Sequence, residues 1–207
     1  MWVLRSLFAP KPAPVIEGAG IYLRPPQPED CEPWCALRGA SHAFLSPWEP
    51  VWPADDLKPS AFRKRLHRYA RDIARDDAYP FLLFRQADHA LLGGLTLSNV
   101  RRGACQTASL GYWMGAPHAG QGYMKAAVRA LVPAAHHSLR LHRIEASCMP
   151  SNTASIRVLT ACGFVNEGYL RQYLRINGRW EDHLLFARLR KDALEPNPVR
   201  LKLVERS

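Results

Sequence analysis

The sequence predicts a mixed α/β domain, and three observations carry that reading. The chain has 207 residues, 47% of them hydrophobic, enough for one sizeable core. Helical and strand patterns follow one another as strand, two helices, three strands, helix, strand, helix and two strands. That order departs from the regular βαβ series of a dinucleotide fold. Near the end, two strand-like runs flank Asn177 and Gly178, and Asn-Gly in that setting is the strongest short-range hairpin signal.

The elements can be justified in chain order. Pro10, Pro12 and Pro14 suggest an extended arm over residues 1–20. "GIYLRPPQPED" opens the domain, expected over residues 21–190, with a short strand ending at Pro25 and Pro26. Glu29 and Asp30 then open a helix running to about Arg38, since acidic side chains are favourable in a first turn. "SHAFLSPWEPVWPADD" reads as a proline- and tryptophan-rich loop. Phe62, Leu66, Tyr69 and Ile73 recur at helical spacing, and the other face of that helix carries Arg63, Lys64, Arg68, Arg71 and Arg75. "YPFLLFRQADHALLGGLTLSNV" is two apolar runs around a polar tip, hence a hairpin. "ACQTASLGYWMGA" is a strand leading into a glycine-bearing loop and a helix, which Pro133 should kink or end. "LHRIEASCM" is a strand, and "SNTASIRVLTACGF" a helix closed by Gly163. Leu170, Leu174 and Ile176 interleave with Arg171, Tyr173 and Arg175 before the Asn-Gly turn, and "RWEDHLLFARL" is the returning strand. Residues 191–207 read as a polar tail.

The formal net charge is +10. It favours anionic partners such as nucleotides, RNA or a phosphorylated cofactor, and it equally fits an arginine-rich proteome. No apolar run approaches the roughly 20 residues of a membrane span. The N-terminal stretch has only a short, interrupted apolar run and no clear cleavage site, so no signal peptide is expected. The five cysteines form an odd set without CxxC spacing. Four of them sit among apolar neighbours, as buried thiols do, and a reduced, cytoplasmic protein is expected. The histidines show no HExxH or Cys/His knuckle spacing, so no metal is expected.

"APHAGQGYMKAAVRAL" sets two glycines one residue apart at the mouth of a helix. Each costs about 1 kcal/mol against alanine inside a helix. Glycine is used where the chain adopts unusual angles or where something must approach the main chain. Free N–H groups feeding a helix N-terminus make an anion site. The loop lacks the Gly-Lys-Ser/Thr ending of a P-loop and is not GxGxxG with a later acidic residue. By itself it is compatible with a phosphate site or with a tight strand-to-helix turn.

The order of a strand over 109–114, this loop, a strand over 141–149 and "PSNTASIRVLTACGF" resembles the GNAT superfamily of acyl-CoA-dependent N-acetyltransferases. "FLSPWEP", "SNVRRG", "LGYWMG", "GQGYM", "LHRIEASCMPSNTAS" and "CGFVNEGYLRQYLRINGRWEDH" are similar to stretches of the ribosomal-protein-alanine N-terminal acetyltransferases within it. The likeness covers nearly all of residues 21–190. It implies a central, mostly antiparallel sheet flanked by helices, with acetyl-CoA as cosubstrate and no metal. It implies that Ala119, Gly120, Gln121, Gly122, Tyr123 and Met124 take the coenzyme A pyrophosphate on backbone N–H groups, and that the Met114 backbone pairs with pantetheine. Asn152 is implied near pantetheine, and Ser155 near the sulfur, where its hydroxyl can protonate the leaving thiolate. Pro117 stands where the family often has Gln or Arg. Ser109 stands where some relatives carry a glutamate that acts as a base through water, so the general base is unassigned.

Several residues keep two readings. Ser151 or Asn152 can simply cap its helix. Glu49, beside Trp48 in the loop where the family receives its acceptor, can bind an α-ammonium or be a solvated carboxylate. His118 and His183 can be bases or bystanders. The basic face of the helix over 62–75 can touch ribosomal RNA or be only solvated. The favoured acceptor is the N-terminal α-amine of a protein such as a ribosomal protein. Its pKa of about 7.7–8.0, against about 10.4 for lysine, supplies neutral nucleophile with little help from a base. The alternatives are a small-molecule amine such as an antibiotic or polyamine, and a non-catalytic acyl-CoA sensor or ribosome-binding module. Oligomeric state is not encoded in any of these features.

Overall fold

Alternation along one strand sets the layering of the molecule. In β3 (Tyr79–Arg85), Phe81 and Leu83 enter one buried cluster while Leu82 and Phe84 enter another, as the two-residue period of a strand requires. The first cluster is completed by α4 (Tyr123–His137) and α5 (Thr153–Ala161). The second is completed by Trp34 of α1 (Cys31–Ala40) and Phe62 of α3 (Pro59–Ala74). Helices therefore cover both faces of the sheet. The protein is described by a computed structural model over residues 14–192 and 202–203.

Among these residues the sheet has nine strands. Besides β3 they are β1 (Pro14–Gly18), β2 (Ile21–Arg24), β4 (Leu91–Arg101), β5 (Thr107–Met114), β6 (Arg143–Cys148), β7 (Val165–Ile176), β8 (Arg179–Leu189) and β9 (Lys202–Leu203). Their spatial order is β7-β8-β6-β5-β4-β3-β2-β1-β9. Every neighbouring pair is antiparallel except β5 and β6. That parallel pair is in register only from Thr107↔Arg143 to Ser109↔Glu145, yet β5 runs on to Met114 and β6 to Cys148. Beyond Ser109 and Glu145 the two strands part, and their facing edges carry no ladder.

The expected mixed α/β order holds, with additions. Residues 14–18, inside the expected arm, form β1, and buried Ile16 anchors it; residues 1–13 lie outside the described residues. Inside the tail expected over 191–207, Lys202 pairs with Val15 and Leu203 with Pro14; residues 193–201 and 204–207 also lie outside. The tryptophan-rich loop contains a short helix, α2 (His42–Leu45), and a 3-10 turn over Ser46–Trp48. Pro133 does not end its helix: α4 continues to His137. A mid-helix proline costs about 3 kcal/mol, but Leu131, Val132, Ala134, Ala135 and His136 around it are all buried, and that packing outweighs the lost hydrogen bond. The Asn-Gly turn is as expected, with φ of 43° at Asn177 and 82° at Gly178, the pair of positive values that a type I′ hairpin turn needs. Cys148 and Cys162 are buried, Cys31 and Cys35 half-buried and Cys105 exposed.

Candidate active site

The glycine turn lies directly after β5. Gly120 and Gly122 have φ of 76° and 83°, in the left-handed region, and an added Cβ at either would meet nothing within 4 Å. The glycines are thus required by backbone conformation, and the space above them is open. Gly122 is the N-cap of α4, and no side chain caps that helix. Among the described residues, none of the loop hydrogen bonds uses the N–H of Gly120, Gln121 or Gly122. The bare N–H groups of this turn and of Tyr123 and Met124 form the anion-binding geometry of a helix start. Ala119 differs, because its N–H donates to the Ala116 carbonyl at 3.3 Å. The Met124 side chain is core, so only its backbone faces the turn. Burial, reinforced by the Arg85 guanidinium, lowers the pKa of His118 in the same turn.

The opening between β5 and β6 lies beside this turn. On β5, Tyr112 and Met114 share one side of the strand by their spacing. The Tyr112 hydroxyl lies 2.7 Å from Ser155 Oγ, so the pair spans from β5 to the first turn of α5. Burial pushes the Tyr112 phenol well above its usual range, with the Ser155 hydrogen bond opposing it. The ring therefore stays protonated and can hold Ser155 by a donated proton. Burial likewise raises the Cys148 thiol, which also feels Ser155. Asn152 is a cap: its Oδ1 accepts from the Ser155 N–H at 3.0 Å. That bond fixes the backbone of Ser155, so capping and placement of the hydroxyl are one arrangement. An open strand edge, a bare left-handed turn and a paired hydroxyl at the helix start fit a pantetheine arm ending in a pyrophosphate.

On the α1 side, a buried arginine organises the loop. Arg38 donates from Nη1 and Nη2 to the two carboxylate oxygens of Glu49, both at 2.8 Å, and Trp52 Nε1 donates to Glu49 Oε2 at 2.7 Å. The Arg38 guanidinium lies 4.0 Å from the centroid of Trp52 and 5.0 Å from that of Trp113. Glu49 is thus a clamped carboxylate. The loop is tied to the β7–β8 turn by Asn177 N–H donating to the Glu49 carbonyl at 2.9 Å. It is tied to the glycine turn through Ser41, whose Oγ accepts from Ala116 N–H at 2.9 Å.

Of the residues singled out in the sequence, the structure brings Ser155, Asn152 and Met114 to the opening and Gly120 to Met124 to the turn. Ser109 lies in the paired stretch with Glu145, before the strands part. His183 is buried, its Nδ1 paired with the Glu181 carbonyl at 3.0 Å and its ring edge-on to Tyr173. Tyr112, Arg38 and Ser41 were missed by sequence reasoning. Only Tyr112 carried a signal, its even spacing from Met114. Among the described residues no group of three or more His, Cys, Asp or Glu could hold a metal ion. Among the described residues no helix is long and apolar enough to cross a membrane.

Comparison with known proteins agrees with this geometry. Residues 21–165 match the family described as an acetyltransferase (GNAT) domain. The chain is 39% identical over 178 residues to the protein of Bacillus subtilis (strain 168) named "Probable N-acetyltransferase YjcK", spanning 86% of this chain and 98% of that one. It is 37% identical over 144 residues to the ribosomal protein uS5-alanine N-acetyltransferase of Escherichia coli (strain K12), spanning 70% and 74% of the two chains. The solved structure of Mycobacterium smegmatis RimJ in complex with CoA-disulfide is similar with a TM-score of 0.81 at 31% identity, over 91% of each chain. The chain belongs to the GNAT acetyltransferases and is an acetyl-CoA-dependent N-acetyltransferase.

Proposed function

We propose that the enzyme acetylates the N-terminal α-amine of a protein, with a ribosomal protein as the favoured acceptor. The observation that carries the chemistry is the Tyr112–Ser155 hydroxyl pair at 2.7 Å in the gap between β5 and β6. The amine nitrogen attacks the thioester carbonyl carbon and the C–S bond breaks. The acylated nitrogen releases its proton to water, and the Ser155 hydroxyl passes its own proton to the leaving thiolate. Water returns a proton to the Ser155 oxygen, which the protonated Tyr112 phenol holds in place. The glycine turn binds the pyrophosphate through backbone N–H groups and the start of α4. The choice of an α-amine is supported by two positions where a carboxylate base was considered. Position 109 carries a hydroxyl, and both oxygens of Glu49 are engaged by Arg38 and Trp52. An acceptor whose own pKa is about 8 needs less help than lysine at about 10.4. The ribosomal acceptor is supported by the relative that acts on uS5 alanine.

The test is a pH–rate profile on matched alanine-starting peptides, one free and one blocked at its N-terminus. The free peptide is expected to show kcat/KM rising with pH and levelling near about 8, and the blocked peptide to be inert. Equal acetylation of the blocked peptide overturns the α-amine assignment. A limb near pH 6.5 that disappears in a histidine variant would instead identify a protein base.

A further inference from the structure

We propose that the exposed face of α3 is an RNA-docking surface through which the enzyme engages its acceptor while that acceptor sits on RNA. The choice of RNA among polyanions rests on the ribosomal-protein reading above; the surface itself rests on the following geometry.

Residues 58–75 hold seven Lys or Arg and one Asp, a net +6 in a chain whose total is +10. At 100° per residue, Lys64, Arg68, Arg71 and Arg75 fall on one narrow stripe opposite Phe62, Leu66 and Ile73. All four are exposed. The stripe is about 16 Å long, with a cation roughly every 5 Å. Among the described residues, no ion pair engages Arg63, Lys64, Arg68 or Arg75, and Arg71 has only Asp72 at 3.7 Å.

This pattern is unlike that of a solvated helix face. Such a face is stabilised by opposite charges three or four residues apart. Here Asp72, four after Arg68 and three before Arg75, is the one acidic neighbour of that kind. Lys64–Arg68, Arg68–Arg71 and Arg71–Arg75 are like-charge neighbours that destabilise the free helix. The repulsion is relieved when a polyanion lies along the stripe. Arg68 stands 5.4 Å from the Tyr69 ring, which sets an aromatic beside the cations. A surface groove of about 540 Å³ between the loop residues Pro53 and Asp55 and the cations Lys64, Arg68 and Arg71 runs along the same side.

The stripe is braced to the acceptor side of the molecule. Arg65, on the inner side of α3, pairs with Asp56 at 2.6 Å and lies over Trp34 at 4.9 Å. The Arg38 guanidinium that holds Glu49 is 5.7 Å from the same Trp34 ring. A phosphate backbone on α3 would therefore be held beside the loop tied to the candidate active site.

The test uses the full chain, a labelled 20-nucleotide RNA hairpin read by fluorescence anisotropy, and the variant K64E/R71E. Each new glutamate precedes an arginine by four residues, the favourable orientation, so the variant is expected to melt no lower than the parent. The parent is expected to bind the hairpin with a Kd that weakens about 150-fold between about 50 and about 200 mM salt, the duplex slope for about four neutralised phosphates. The variant is expected to lose at least tenfold in affinity at the lower salt, with kcat/KM for a free alanine-starting peptide unchanged. No parent binding at low salt, or equal binding by the variant, overturns the proposal. Competition by polyglutamate of matched charge as effective as by unlabelled RNA also overturns it, in favour of an acidic protein partner. RNA binding that is lost in the variant, in an enzyme that acetylates no peptide, leaves the docking face standing and removes the acceptor reading instead.

Discussion

Ser155 has its backbone pinned by Asn152 Oδ1 at 3.0 Å and its side chain by Tyr112 at 2.7 Å. One bond holds the backbone and the other the hydroxyl, and a proton donor to a leaving group requires such fixed placement. Ser155→Ala is expected to lower kcat on the order of 10²-fold with little change in KM for acetyl-CoA, because the lost interaction belongs to the transition state. Tyr112→Phe keeps the ring and removes only the bond to Ser155, so its loss should be smaller. If Tyr112 acts through Ser155, the double variant is no slower than Ser155→Ala alone. Additive losses in steady-state kinetics would give Tyr112 a proton-transfer role of its own. Half of this site was legible in the sequence. Asn152 and Ser155 are neighbours on one helix turn, but Tyr112 lies 43 positions away from Ser155, and nothing local marks it as their partner.

At the scale of elements, α4 shows what packing adds to propensity. Its C-terminal half passes Pro133 and ends on His136 and His137. His136 is 4% exposed; its Nδ1 bonds the Leu141 carbonyl at 2.9 Å, while Nε2 is buried without a partner. Neutral imidazole with the proton on Nδ1 satisfies that geometry. A second proton on Nε2 would have no acceptor, and it would face the nearby cations Arg188 and Arg190 and the neighbouring His137. Burial first, then these cations, hold the folded pKa below 6.5, with the Leu141 bond opposing. The unfolded chain therefore binds the proton more readily. The stability contributed by neutral His136 is full above about 6.5 and is lost as pH falls through that value towards the folded pKa. Thermal unfolding is expected to give a lower Tm at pH 5.5 than at pH 7.5, with a shallower drop in His136→Gln. An identical slope in the two proteins would exclude His136 as the source. The helix periodicity, the Asn-Gly turn and the glycine turn could all be read locally. The continuation of α4 past Pro133 could not, because it depends on the core that receives the last turn.

For the whole molecule, the end of α1 joins the two halves of the site. Arg38 grips the loop through Glu49, and three residues later Ser41 accepts a bond from Ala116 at the entry to the glycine turn. Arg38→Lys keeps the charge but loses the two-pronged contact and the stacking on Trp52. It is expected to raise KM for the peptide acceptor on the order of tenfold, while the Kd of acetyl-CoA in calorimetry stays near the parent value. Equal weakening of both substrates would mean that α1 supports the glycine turn through Arg38 as well as through Ser41.

The sequence by itself determined the elements whose causes lie within a few residues of one another. These are the amphipathic stripe of α3, the left-handed glycines before α4, the cap of α5 and the turn between β7 and β8. From their order and spacing it also determined the resemblance, and with it the fold and the acetyl donor. Only the tertiary structure decided where β5 and β6 separate, that Tyr112 meets Ser155, that Arg38 consumes the carboxylate of Glu49, and that segments on either side of the main domain add β1 and β9 to the sheet. The physical reason is range. Backbone preference and side-chain periodicity act within about one helical turn or a strand's two-residue repeat. Contacts between residues 11, 43 and 75 positions apart are fixed by strand pairing and by the packing of helices on both faces of the sheet, which no single segment encodes.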